Sequence, residues 1–140
     1  MDQIPDIVGS KLVTNVFGYW PSFHDAEVVR LTLERSESVP SGAELATEVH
    51  VFEITSEVDA RGSYVCRHHV LVSFRFKEVH DVRIEGFNHE NAIMGLRIVD
   101  VRSRQLEAIR YEVDFAGTFG VSASFLCRDV IVESVRPWTE

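Results

Sequence analysis

The sequence predicts an α+β fold, with an N-terminal helix followed by a mainly antiparallel sheet or sandwich of about seven or eight strands. Apolar and polar residues alternate through most of the chain after residue 28, as expected for half-buried strands. Turn-forming residues recur roughly every 10 to 15 positions, which is typical of sequential antiparallel pairing. No long helical stretch separates the strands, so a parallel doubly wound sheet is not favoured. The 140 residues contain no linker, which predicts one domain over residues 1–140.

The N-terminal helix is predicted from an apolar residue at every fourth position. These positions are Ile4, Val8, Leu12 and Val16. Asp2 is a candidate cap, and Pro5 and Asp6 suit a first helical turn. Gly18 is suited to end the helix.

Alternation is strongest between Tyr64 and Lys77, where Val70, Val72, Phe74 and Phe76 are predicted to face the core. A second strand is expected over residues 47–58, with either a bulge or burial on both faces near Phe52, where the apolar phase changes. Other strands are expected near residues 29–33, 82–84, 96–104, 111–115, 121–127 and 130–135. In the first of these, Val29, Leu31 and Leu33 would face inward. Residues 88–94 are expected to form a helical turn, and residues 117–120 a turn.

The charge balance limits the classes of partner. Fourteen lysines and arginines against 22 acids give a net charge of −8, which argues against nucleic-acid binding. The acidic surface is either simply solvated or matched to a basic partner. No stretch approaches the ~20 apolar residues of a membrane span, and the acidic N-terminus does not resemble a secretory signal. A cytoplasmic location is therefore expected, with Cys66 and Cys127 as reduced thiols.

No catalytic or metal-binding motif is present. The six histidines lack the ligand spacing of zinc sites, and His68 and His69 should point to opposite faces of a strand. His50 should face solvent. There is no nucleophile elbow and no phosphate-binding loop. The sequence therefore predicts no catalytic residues, no metal and no cofactor.

The candidate binding residues begin with an aromatic segment. Trp20, Phe23, His24 and Asp25 either hold a loop in place, with His24 packed under an aromatic ring, or line a ligand pocket. A catalytic His24–Asp25 pair is a third possibility. Trp138 is either docked on the core or an exposed anchor. Glu112 and Asp114 form part of an acidic patch or of an ordinary solvated face.

The segment Phe17-Gly18-Tyr19-Trp20-Pro21-Ser22-Phe23-His24-Asp25-Ala26-Glu27-Val28 resembles the N-terminal signature of the immunity protein 50 family of bacterial polymorphic toxin systems. Two later segments are similar to the family as well. One spans residues 82–98, with Gly86-Phe87-Asn88 and Asn91. The other contains Gly120, Phe125 and Cys127 before a closing strand and Pro137.

The resemblance implies a cytoplasmic protein that neutralises a cognate toxin by stoichiometric binding, without catalytic residues. The positions it carries over are those of the first motif: Trp20, Pro21, Phe23, His24, Asp25 and Glu27. The residues themselves leave alternatives open. These are a small-molecule-binding β-domain with a pocket near Trp20–Asp25, an enzyme using His24 and Asp25, and a structural domain. The toxin, its contact face and the oligomeric state are not specified.

Overall fold

A computed structural model describes residues 7–35, 42–104 and 109–139. One helix precedes eight strands, which confirms the predicted fold class. The elements are α1 (Ser10–Phe17), β1 (Glu27–Arg35), β2 (Ala43–Val58), β3 (Tyr64–Lys77), β4 (His80–Glu85), β5 (Ala92–Asp100), β6 (Tyr111–Phe119), β7 (Ser122–Cys127) and β8 (Asp129–Pro137), with a 3₁₀ turn at Arg102–Arg104 between β5 and β6. Across these residues no helix has both the length and the apolar character that crossing a membrane requires.

The strands form one antiparallel sheet in the order β4-β7-β6-β5-β1-β2-β3-β8. The register of β1 and β5 contains a single pair, Glu27 with Ala92, so the sheet divides there into two halves. The rings of Phe76 on β3 and Phe125 on β7 lie 4.9 Å apart, and that of Phe115 on β6 lies 6.2 Å from Phe76. The two halves therefore face each other across one apolar core.

Of the predicted strands, β3 agrees best with the structure. Its bounds are those expected, and the four residues predicted to face inward are all buried. The expected bulge in β2 is confirmed by a register shift between Val51 and Glu53. The prediction for β1 is right for Leu31, which packs against the core, and wrong at the ends: a register shift follows Val28, which is fully buried, and Leu33 is 54% exposed.

The predicted start of the helix and its predicted buried face are both wrong. It begins at Ser10 and buries Val13 and Phe17, while Leu12 is exposed. Val8 is extended and forms a parallel bridge with Ile131 on β8. The expected cap at residues 2–6 lies outside the described residues. Gly18 does end the helix, since it adopts a φ of 82° and donates its N–H to the Thr14 carbonyl.

The helical turn expected over residues 88–94 is also wrong. Residues 86–91 form an irregular loop, and β5 begins at Ala92. The turn predicted at residues 117–120 is shorter than expected, because β6 continues to Phe119. Both differences arise where loop residues bond to neighbouring segments that are distant in sequence.

Candidate functional site

The aromatic loop before β1 is held against the core by ring contacts. The Trp20 ring lies 5.5 Å from Phe23 and 6.3 Å from Phe74, and Phe23 lies 5.8 Å from Phe74. Phe23 is only 1% exposed, and Pro21 is buried as well. Trp20 itself is half-buried. These rings anchor the loop, in agreement with the expectation that the segment is a connection held down by aromatic side chains.

Backbone bonds fix the same loop to β5. Asp25 donates its N–H to the Ile93 carbonyl, and the Ser22 carbonyl accepts from Leu96. Asp25 has a φ of 65° and Phe23 one of 64°, in the left-handed region that costs non-glycine residues about 1 kcal/mol or more. The surrounding bonds must offset that cost, so the loop's conformation depends on β5.

The His24–Asp25 pair lies on the surface. Nε2 of His24 is 3.6 Å from the Asp25 carboxylate, and both side chains are about half exposed. Nδ1 of His24 lies 3.0 Å from the Met94 carbonyl. His24 was expected to pack under Trp20 or Phe23. That expectation is wrong, because its ring extends over β5 instead.

Asn91 joins the loop after β4 to two other segments, the start of β1 and the turn before β7, and is 3% exposed. Its Oδ1 accepts from the N–H groups of Asn88 (2.8 Å) and Val121 (3.2 Å), and its Nδ2 donates to the Asn88 carbonyl at 2.7 Å. Its own N–H is 3.4 Å from the Glu27 carboxylate, and its carbonyl accepts from Val28. Glu27, one of the predicted binding residues, therefore faces this junction.

Gly120 is required at the same junction. A Cβ at this position would lie 2.1 Å from the Glu90 carbonyl oxygen and 2.6 Å from Oδ1 of Asn91, and its φ is 89°. Real Cβ atoms do not approach other atoms so closely. Residues from all three segments that carry the family resemblance thus meet in this part of the fold, where they hold backbone in place.

A second cluster lies on the outer face of β2 and β3. We call His50, Phe52, His69 and Trp138 the outer patch. The Trp138 and His50 rings stack with centroids 4.1 Å apart and planes 7° apart, and the Phe52 and His69 rings stack at 5.4 Å. Nε2 of His50 lies 3.1 Å from Nδ1 of His69. The Trp138 N–H donates to the His69 carbonyl, which fixes the chain end beside the rings.

A cleft of about 280 Å³ lies further along the same face. Small side chains, including Ala46 and Ser73, contribute to its lining. Arg75 bonds Glu133 at 3.1 Å and approaches Glu44 at 3.6 Å. The Glu133 bond raises the pKa of Arg75, so this guanidinium stays charged. The remaining charged lining residues are Arg30, Glu34 and Glu48.

Beyond the outer patch, β2 and β3 continue as a two-stranded arm formed by residues 53–67. Within the described residues, β1 pairs with β2 only as far as His50, and β8 pairs with β3 only from Val70 onward. Apolar side chains are exposed along the arm, with Val58 at 58% and Tyr64 at 65%. The base is tied to the aromatic loop because Tyr19 donates to Glu53 at 2.9 Å, a bond that raises the pKa of Tyr19.

The other predicted acidic residues lie on the opposite half of the sheet. Glu112 and Asp114 are exposed on the outer face of β6. Glu112 forms an ion pair with Arg104 at 3.0 Å, and Asp114 pairs in register with Arg97. Charges of both signs therefore alternate on this face.

The structure does not gather the predicted binding residues into one site. The aromatic loop, the β6 acids and Trp138 occupy separate regions. His50, Phe52 and His69 were not among the predicted residues, although Trp138 was. No group of three or more His, Cys, Asp or Glu side chains that could hold a metal ion occurs within residues 7–35, 42–104 and 109–139.

The fold is one eight-stranded antiparallel sheet with an N-terminal helix, and its surfaces present aromatic and charged side chains. A family model matches residues 9–138, nearly the whole chain, and the chain belongs to this family, Immunity protein 50. The predicted resemblance is thereby confirmed. No curated protein and no solved structure matched the chain.

Proposed function

We propose that this protein neutralises a cognate bacterial toxin domain by binding it one to one in the cytoplasm, without turnover. The observation that carries the proposal is the family match over residues 9–138. Neither nucleic acid nor membrane is part of the proposed mechanism. An inhibitor of this kind needs a rigid surface of matched shape and charge rather than reacting groups.

The charge of the chain supports a basic partner. At a net charge of −8, long-range attraction would accelerate encounter with a basic domain. Ion pairs already satisfy much of the charge around Arg75 and Glu112, so the acids are expected to affect association more than dissociation. The association rate should therefore fall as ionic strength rises.

The outer patch is the proposed centre of the contact face. Aromatic side chains, tryptophan above all, dominate binding energy when a partner covers them. Trp138 is held by its stacking on His50, so little conformational freedom would be lost on binding. The cleft carboxylates lie on one side of the patch and the exposed apolar residues of the arm on the other. This arrangement resembles the aromatic centre and polar rim of known interfaces.

The remaining predicted residues provide alternative contact faces. His24 and Asp25 are accessible beside the exposed Met94, whereas Trp20, Phe23 and Glu27 would act by holding that loop. Glu112 and Asp114 lie on the other half of the sheet. The cleft on the outer face and a second cleft, lined by residues that include Leu33 and Val82, both lie away from the Trp20–Asp25 loop. The rings of Trp20 and Phe23 pack on Phe74, so a protein contact is proposed for this loop ahead of a small ligand.

The test is binding of the purified chain to the toxin domain encoded beside its gene, measured by calorimetry at low and physiological salt and paired with a cell-protection assay. A one-to-one complex and protection are expected. Failure to bind, together with failure to protect cells, would reject the proposed function.

Four single substitutions then locate the contact face. Trp138→Ala should weaken binding about 30-fold or more, the effect of losing a 2 kcal/mol anchor. Phe119→Ala is the matched control, because Phe119 is an aromatic residue 67% exposed away from the outer patch. Equal toxin affinities for Trp138→Ala and Phe119→Ala would exclude the outer patch as the contact face. A loss of affinity confined to His24→Ala or to Glu112→Ala would point to the corresponding alternative face.

A further inference from the structure

The outer patch contains a pair of imidazoles whose facing nitrogens are close enough to share one ion. Nε2 of His50 and Nδ1 of His69 are 3.1 Å apart. Two nitrogens bound to one zinc ion at about 2.0–2.1 Å in tetrahedral geometry lie roughly 3.3 Å apart. An opening of a few tenths of an ångström, together with a turn of each ring by roughly 35° so that both lone pairs point at the ion, would convert the present contact into a chelating pair.

We propose that His50 and His69 form a binding site for a divalent transition-metal ion of the zinc or copper class, with water completing the coordination. Imidazole nitrogen suits zinc, copper and nickel, whereas calcium and magnesium prefer oxygen. The proposal departs from the expectation of no metal site. The histidines are 19 residues apart, and the pairing of β2 with β3 brings them together.

The proton balance permits binding to the neutral pair. In the present contact one ring donates its N–H to the lone pair of the other. When an ion replaces that hydrogen bond, the donor ring carries its proton on its other nitrogen, and both facing lone pairs bind the metal. Neutral histidines therefore lose no proton when the ion binds.

The neighbouring groups hold the rings in position. Trp138 stacks on His50 and Phe52 stacks on His69, so each imidazole has an aromatic ring against it. The register places Glu27 opposite His50 on β1, but its carboxylate bonds the Asn91 N–H and is not a ligand of the proposed site. The nearby cation of Arg136 is paired with Glu48 at 3.3 Å. Rings that are already oriented lose little freedom when the ion binds.

The site also carries its own reporter, because Trp138 lies 4.1 Å from His50 by ring centroid. Copper(II) is titrated into the untagged chain while tryptophan fluorescence is followed. The same titration of the Trp138→Phe variant gives the contribution of Trp20 to the fluorescence. Saturable one-to-one quenching that disappears in Trp138→Phe is expected. Calcium at the same concentrations should have no effect.

Histidine variants distinguish this site from adventitious surface binding. His50→Ala and His69→Ala should each weaken copper and zinc binding at least about tenfold, since even an outer-shell partner can contribute that much. His68→Ala is the matched control, because His68 adjoins His69 in sequence but contacts Phe17 instead. Unchanged affinity in His69→Ala, or an equal loss in His68→Ala, would overturn the proposal.

Electron paramagnetic resonance of the copper-loaded intact chain tests the ligands without any substitution. Two coordinated imidazole nitrogens are expected in the spectrum. A spectrum with oxygen ligands alone would reject the site, even if the alanine variants failed to fold. Neither measurement involves the toxin, so its outcome is independent of the proposed function.

Discussion

Replacing Asn91 with alanine tests the junction between the loop after β4 and the rest of the fold. The substitution removes three hydrogen bonds, two to the Asn88 backbone and one to Val121. Each buried bond contributes about 0.5–1.5 kcal/mol, and a buried group left unpaired costs about 1–3 kcal/mol. The expected loss is therefore about 2–4 kcal/mol. At roughly 2–4 °C for each kcal/mol, the melting temperature should fall by roughly 4–16 °C.

Urea denaturation followed by circular dichroism measures this loss. The midpoint should fall while the slope of the unfolding free energy against urea stays the same, because the core itself is unchanged. Asn15→Ala is the matched control, since Asn15 is exposed on α1 and should change stability by less than about 0.5 kcal/mol. If Asn91→Ala were as stable as Asn15→Ala, the hydrogen bonds assigned to this junction would not be stabilising the fold.

Three further predictions concern the core, the N-terminal bridge and a buried thiol. In urea denaturation, Phe74→Ala should lower the free energy of unfolding by about 3–5 kcal/mol, because Phe74 is fully buried. Arg75→Ala should lower it by about 1 kcal/mol or less. Equal losses would mean that the assigned faces of β3 are wrong. Gly9→Ala should lower the melting temperature, because a Cβ there would lie 2.3 Å from the Val132 carbonyl oxygen and the φ of 80° favours glycine. An unchanged melting temperature would contradict this contact. Burial raises the pKa of Cys127 from 9.0 to about 12, so the neutral thiol favours the folded state below pH 9. As the pH rises from 9 toward 12, this contribution to the free energy of unfolding is lost at about 1.4 kcal/mol per pH unit. Cys127→Ala should therefore lose less stability than the intact chain between pH 9 and 11, and parallel pH profiles would argue against a buried neutral thiol.

The sequence predicts those features of the fold that depend on local pattern. Alternation in β3 identifies its buried face because successive side chains point to opposite sides of a strand. Gly18 could be recognised as a helix end because glycine adopts a left-handed conformation at low cost. The start of α1 could not be predicted, since Val8 belongs to the helical spacing but bonds instead to β8. That bond depends on where the last strand lies, which no local pattern specifies.

The same limit applies to the candidate site. Trp138 could be proposed as an anchor from its residue type, but its stacking on His50 depends on the register of β2, β3 and β8. A pairing of His50 with His69 could not be predicted, because their separation fits no motif of metal ligands. The pairing of two strands determines their contact, and a single sequence does not give that pairing.

The residues that carry the family signature and the outer patch have different physical roles. Phe23 is packed in the core, and Gly120 leaves room that the Asn91 junction requires. Changes at such positions disturb the fold itself, so they are poor places to adjust partner choice. The outer patch lies beyond the core, and a substitution such as Trp138→Ala removes a large ring without opening a buried cavity. On the proposed function, recognition could therefore be altered on this face at little cost in stability. An outer-patch variant whose free energy of unfolding and toxin affinity fell in proportion would argue against this separation of roles.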